Sequence, residues 1–161
     1  MFLLIRIPVA TFLKDILRCV PQCFLFEYCE LHSKRDSYLT AASTPQNAEF
    51  GYVFKNCKLT AAPGVKKVYL GRPWRPYAAT VFINCEFGNH IRPEGWHNWK
   101  NPANEKTARY AEFGNTGDGA ETSGRVTWGN TVIYQLKQRK NRTEWKKYSS
   151  TLSVLDRKSV V

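Results

Sequence analysis

Arg72 and Trp74, inside Gly71-Arg72-Pro73-Trp74, are the residues of this chain best suited to chemistry. Arginine presents a planar fork of donors that matches carboxylate oxygens. A tryptophan two residues later adds a flat apolar face with one N–H donor. The pair suits a surface that holds a carboxylate beside a sugar ring. Arginine cannot act as a nucleophile, so a covalent reaction here needs a reactive group from elsewhere in the fold. A second aromatic group, Trp96, His97 and Trp99 in Glu94-Gly-Trp-His-Asn-Trp-Lys100, has two readings. It is either a sugar-stacking loop or a loop capped against the fold by its own indoles, and capping is the favoured expectation. His97 has no visible Ser, Cys or Asp partner for a hydrolytic triad. Cys19, Cys23, Cys29 and His32 follow no common zinc spacing.

The elements that must position these residues come from a repeat. Leu25-Phe-Glu-Tyr-Cys-Glu-Leu-His32, Val53-Phe-Lys-Asn-Cys-Lys-Leu-Thr60 and Val81-Phe-Ile-Asn-Cys-Glu-Phe-Gly88 align without gaps. Their cysteines fall at 29, 57 and 85. One further step lands on Phe113 in Tyr110-Ala-Glu-Phe-Gly-Asn115, a degenerate fourth copy. A fixed period of this size means stacked units sharing one core. Cys and the residue two later alternate as in a half-buried strand, while the apolar pair before Cys breaks the alternation and implies a bend. Asn56 and Asn84 stand at that bend, and Asn tolerates the left-handed backbone of a tight corner. Strand, corner and strand in every unit predict an all-β chain, a parallel β-helix. Cys29, Cys57 and Cys85 then form an inward ladder of small hydrophobes; parallel Cβ vectors disfavour a disulfide.

Composition narrows the classes further. The chain of 161 residues has room for one domain, and 43% hydrophobic content argues against disorder. Of the net charge of +11, most sits at one end: residues 131–161 carry eight Lys/Arg against two acids. That excess is read as a solvated tail in preference to a nucleic-acid-binding arm, and no nucleic-acid partner is expected. Residues 1–5 are apolar, but Arg6 and Lys14 interrupt the run, so neither a signal peptide nor a membrane span is expected there.

From about residue 23 to about residue 128, the chain resembles the C-terminal half of a pectinesterase (pectin methylesterase, carbohydrate esterase family 8). The pattern is closest to bacterial-type members. The carrying residues are Tyr38-Leu-Thr-Ala41, Gly51-Tyr-Val-Phe-Lys-Asn-Cys57, Tyr69-Leu-Gly-Arg-Pro-Trp74, Thr80-Val-Phe-Ile-Asn-Cys85, Ile91-Arg-Pro-Glu-Gly-Trp96 and Tyr110-Ala-Glu-Phe113. Gly117-Asp-Gly-Ala120 and Gly124-Arg-Val126 follow in order. The resemblance implies a right-handed parallel β-helix, truncated here, with irregular terminal segments. It further implies hydrolysis of galacturonate methyl esters in pectin, homogalacturonan as the partner, no metal or organic cofactor, and a secreted, periplasmic or cell-wall setting. In the family one Asp attacks the ester carbonyl, a second acts as acid and base, and Gln side chains stabilise the oxyanion. The arginine of Gly-Arg-Pro-Trp orients the nucleophilic carboxylate and the tryptophan lines the sugar subsite, roles that fall on Arg72 and Trp74. Residues 1–22 match neither upstream catalytic segment. Asp15 stands about one residue from the nucleophile's place, but Arg18-Cys19 replaces the small turn expected beside it, so no catalytic role is carried over. Asp36, Asp118 and Asp156 also fall outside the catalytic motifs. The expectation is a chain inactive as an esterase by itself, with a non-catalytic pectin-binding module as the alternative. Residues 129–161 are expected to be a basic tail, partly helical.

Overall fold

The bend inside each repeat does what its residues require. The computed structural model describes residues 3–5, 24–128 and 131–134. After β1 (Leu3–Ile5), the first coil runs through β2 (Phe24–Glu27), β3 (Glu30–Ser33) and β4 (Tyr38–Ala42). The second runs through β5 (Tyr52–Lys55), β6 (Lys58–Ala61) and β7 (Tyr69–Pro73). β8 (Ala79–Ile83) and β9 (Glu86–Phe87) open the third, which continues as single bridges from Val68 to Ile91 and from Gly71 to Trp96. A short helix, α1 (Asn104–Thr107), leads to β10 (Arg109–Phe113), a 3₁₀ turn follows at Asp118–Ala120, and β11 (Thr131–Tyr134) is last.

Strands from successive coils pair in parallel in three sheets, ordered β1-β2-β5-β8-β10-β11, β3-β6-β9 and β4-β7. This is a parallel β-helix, as expected. The left-handed corner residue recurs on every coil: Tyr28 (φ 54°), Asn56 (φ 54°), Asn84 (φ 51°) and Gly114 (φ 59°). Asn and Gly adopt this backbone at little cost, whereas Tyr28 does so under strain.

The repeat places identical side chains above one another. Phe26 stacks on Phe54 at 4.8 Å and Phe54 on Phe82 at 4.7 Å between ring centroids, all three fully buried. Cys29, Cys57 and Cys85 are buried free thiols, the ladder predicted from the sequence. Cys57 and Cys85 donate back to the carbonyls of Phe26 and Phe54. The adjacent Cys85 thiol and burial together push the Cys57 thiol far above its ordinary range, which leaves it inert as a nucleophile. Cys29 faces the core while His32 on β3 faces solvent, bonded to Thr60, so these two do not converge on a metal. Cys19 and Cys23 lie outside the described residues.

One expectation changes. The fourth unit exists, but Phe113 does not continue the cysteine column. Ile83 pairs with Phe113, and Asn115 takes the place after the corner; its Oδ1 accepts from the Cys85 N–H and its Nδ2 donates to the Phe82 carbonyl. The chain between β8 and β10 makes a longer excursion, which shifts the register by two residues. Beyond the three coils, β1 pairs with β2 and β11 with β10. The expected tail helix and Asp15 lie outside the described residues.

Candidate functional site

β7 carries Gly71-Arg72-Pro73, and its register against β4 sets Arg72 beside Ala41. The glycine is a requirement of packing. A Cβ on Gly71 would run into the Thr40 hydroxyl and meet the Trp96 ring at 3.0 Å. The backbone of β7 is thus pressed between coils one and three, and Thr40 Oγ1 donates to the Leu70 carbonyl at 2.9 Å. Pro73 is buried at the strand end, and the next N–H, that of Trp74, donates to the Ala42 carbonyl. The Arg72 side chain leaves the coil on its outer side.

There the guanidinium meets three aromatic rings: Trp99 at 3.7 Å, Trp74 at 5.0 Å and Tyr38 at 5.3 Å from carbon to ring centroid. Trp74 is 40% and Trp99 46% exposed, so both indoles offer a face to a ligand beside the cation. Behind them lies a stack. Tyr38 lies on Tyr69 at 5.3 Å, and His97 lies against Tyr69 at 5.0 Å and Tyr38 at 5.7 Å. The Tyr38 hydroxyl is hydrogen-bonded to His97 Nδ1 at 3.0 Å. Burial, then the cations Arg92, Lys100 and Arg72, push the His97 imidazole below its ordinary pKa and keep it neutral. Burial pushes the Tyr38 phenol up, so it too stays uncharged. Positive charge in the patch is therefore left to the guanidinium and ammonium groups.

The Trp96–Trp99 loop divides between the two readings of the sequence. Trp96 is 1% exposed and stacks flat on Tyr110 at 4.2 Å, a structural cap. Trp99, three residues on, is turned out over Arg72. Two successive left-handed residues, Trp99 (φ 59°) and Lys100 (φ 58°), make that reversal. Asn98 anchors it: its Oδ1 accepts from the Lys100 N–H, its Nδ2 donates to Glu105, and its carbonyl accepts from Asn104 Nδ2.

Glu112 and Arg125 set the height of the loop, and neither was singled out for a role from the sequence. Glu112 Oε1 accepts from Trp96 Nε1 at 2.9 Å and from Arg125 Nε at 3.0 Å. Arg125 also donates to the carbonyls of Arg92, Pro93 and Gly119. Burial pushes the Glu112 carboxyl up, against the pull of Arg125 and the indole N–H. Both residues sit in motifs legible as Tyr110-Ala-Glu-Phe113 and Gly124-Arg-Val126, and an acid and an arginine amid apolar columns were the available signal. Tyr38 and Tyr69 were legible as a recurring Tyr-Leu at the same strand position.

A family model described as Pectinesterase matches residues 20–154. A curated relative, "Probable pectinesterase/pectinesterase inhibitor 17" of Arabidopsis thaliana, is 41% identical over 115 residues, 65% of this chain and 22% of the relative. Among solved structures, pectin methylesterase from carrot superposes with a TM-score of 0.63 at 32% identity, covering 69% of this chain and 39% of that one. A pectin methylesterase in complex with a hexasaccharide gives 0.56 at 27% identity, covering 76% and 44%. The chain spans about a seventh to a third of the length of the curated relatives it matches. With most of its residues inside the family match, the chain belongs to the pectinesterase family.

Proposed function

We propose that the Arg72 site serves the hydrolysis of galacturonate methyl esters in pectin. In that reading the sugar ring lies over Trp74, and Arg72 holds an attacking carboxylate in place and keeps it ionised. Attack on the ester carbonyl gives a tetrahedral oxyanion; its collapse expels methanol, which takes its proton from a second carboxyl. Water then cleaves the acyl intermediate and leaves the free uronate. Arginine takes no proton in any of these steps, so its share is electrostatic and geometric.

The observation that carries the reading is the guanidinium stacked at 3.7 Å on Trp99, with Trp74 half-exposed beside it, on a strand of a pectinesterase-family coil. The relative solved with a hexasaccharide supports a polysaccharide ligand for this fold. The attacking group is not supplied by the described aspartates. Asp36 accepts from the backbone N–H groups of Lys66 and Lys67, and Asp118 is exposed at the start of the 3₁₀ turn. Asp15 and Asp156 lie outside the described residues. In this reading the described residues hold pectin and supply no attacking carboxylate, so the expected outcome for the chain by itself is binding without methanol release.

A methanol-release assay on methyl-esterified pectin, run beside a binding titration, tests both halves. Saturable binding without methanol is expected. Methanol release that Arg72→Ala abolishes would overturn the inactivity and leave the esterase reading standing. Neither binding nor release would overturn the reading as a whole.

A further inference from the structure

Outside the Arg72 site, the corner that follows β3 and β6 gathers cations from three consecutive coils. Lys34 and Arg35 stand on the first coil and Lys66 and Lys67 on the second, all exposed. Arg92 stands on the third. The alignment is built in. Asp36 Oδ1 accepts from the Lys66 and Lys67 N–H groups at 3.0 and 2.9 Å, the Tyr69 N–H donates to the Ser37 carbonyl, and the Arg92 N–H donates to the Val68 carbonyl. Those two backbone bonds hold the Asp36 carboxyl below its ordinary pKa and spend it on the coil-to-coil stitch. Glu94 is paired with Arg92 at 3.3 Å. Five cations thus face two acids already engaged.

The row runs along the helix axis, across the strands, and successive coils are about 4.8 Å apart, comparable to the length of one sugar unit of a linear glycan. It is also continuous with the site: the Arg92 guanidinium lies over Tyr69 at 4.7 Å, and Tyr69 stacks on Tyr38, which touches Arg72. We propose that this basic corner is a docking surface for de-esterified polygalacturonate, the anionic product of that ester hydrolysis, held beside the Arg72 site. The inference rests on the reading of the site as a pectin esterase site. A methyl ester is neutral and gains nothing from a row of cations, whereas each freed carboxylate gains one ionic contact. A de-esterified stretch of a pectin chain bound at Arg72 is therefore retained.

The test is calorimetric titration of the full chain with a fully de-esterified oligogalacturonate, compared with its fully methyl-esterified counterpart. Lys66→Ala/Lys67→Ala removes two cations and leaves the backbone donors to Asp36 intact. It should weaken the de-esterified ligand about tenfold and flatten its salt dependence, leaving the esterified ligand unchanged. Lys58→Ala/Lys106→Ala, the same loss of charge elsewhere, should change neither. Equal weakening by both pairs, or none by Lys66→Ala/Lys67→Ala, would overturn the docking surface. If the wild-type chain binds the de-esterified oligomer but not the esterified one, the esterase reading fails instead. If a heparin fragment or single-stranded RNA of equal charge binds as tightly through Lys66 and Lys67, the assignment to polyuronate is overturned.

Discussion

Removing the Glu112 carboxylate should destabilise the fold by about 4 kcal/mol, although Glu112 faces no ligand. Its side chain is 3% and that of Arg125 1% exposed, so Glu112→Ala leaves a buried cation without its counter-ion. Breaking one half of such a pair costs about 3–5 kcal/mol. Three carbonyls still accept from Arg125, which places this part near the lower bound. The Trp96 N–H loses its acceptor as well, which adds about 1 kcal/mol or more. For a chain of this size, about 4 kcal/mol corresponds to a fall in Tm of about 8–16 °C. Urea melts followed by tryptophan fluorescence would measure it. The double variant Glu112→Met/Arg125→Met removes both charges and should recover at least about 2 kcal/mol relative to the sum of the single changes. A single-variant cost below about 1 kcal/mol, or additive single variants, would refute the reasoning that this pair hangs the Trp96 loop on the fourth coil.

Tyr28 is 71% exposed in a left-handed corner that Asn or Gly occupies on the other coils, so Tyr28→Asn should stabilise by about 1 kcal/mol in the same melts. Gly71→Ala should cost about 1–3 kcal/mol, because the new methyl group meets Thr40 and Trp96, and the variant should lose binding at Arg72 as β7 shifts. His90 and His97 are both held below their ordinary pKa of 6.5, chiefly by burial, so near that pH the unfolded chain binds more protons than the folded one. Stability therefore rises with pH through this range and falls as the solution is acidified from about pH 7 toward pH 5. Urea midpoints at several pH values should show this fall, and His90→Gln/His97→Gln should flatten it.

The stacked columns were legible because burial and spacing agree in them. Phe26, Phe54 and Phe82 recur at the coil period, and the cysteines three positions past the buried phenylalanine could only face inward once a corner lay between. Asn56 and Asn84 marked that corner by their backbone tolerance. The same arithmetic failed at Phe113, since an apolar residue at the right count does not reveal a change in coil length. Phe113 packs outward against Ile83, and the polar Asn115 closes the ladder with hydrogen bonds. The opposite fates of Trp96 and Trp99 were hidden for another reason. They depend on a buried acceptor from β10 and on two left-handed residues that no composition cue announces. Arg72 and Trp74 were found by type; their supporting rings, Tyr38 and Tyr69, are brought to them by strand register.

The most direct test is a calorimetric titration of the chain with a methyl-esterified oligogalacturonide, repeated with Arg72→Ala and Trp74→Ala. Saturable binding to the wild-type chain, weakened tenfold or more by either change, is the expected result. Binding that both variants retain in full, or no binding by the wild-type chain, would contradict the placement of the pectin site at Arg72.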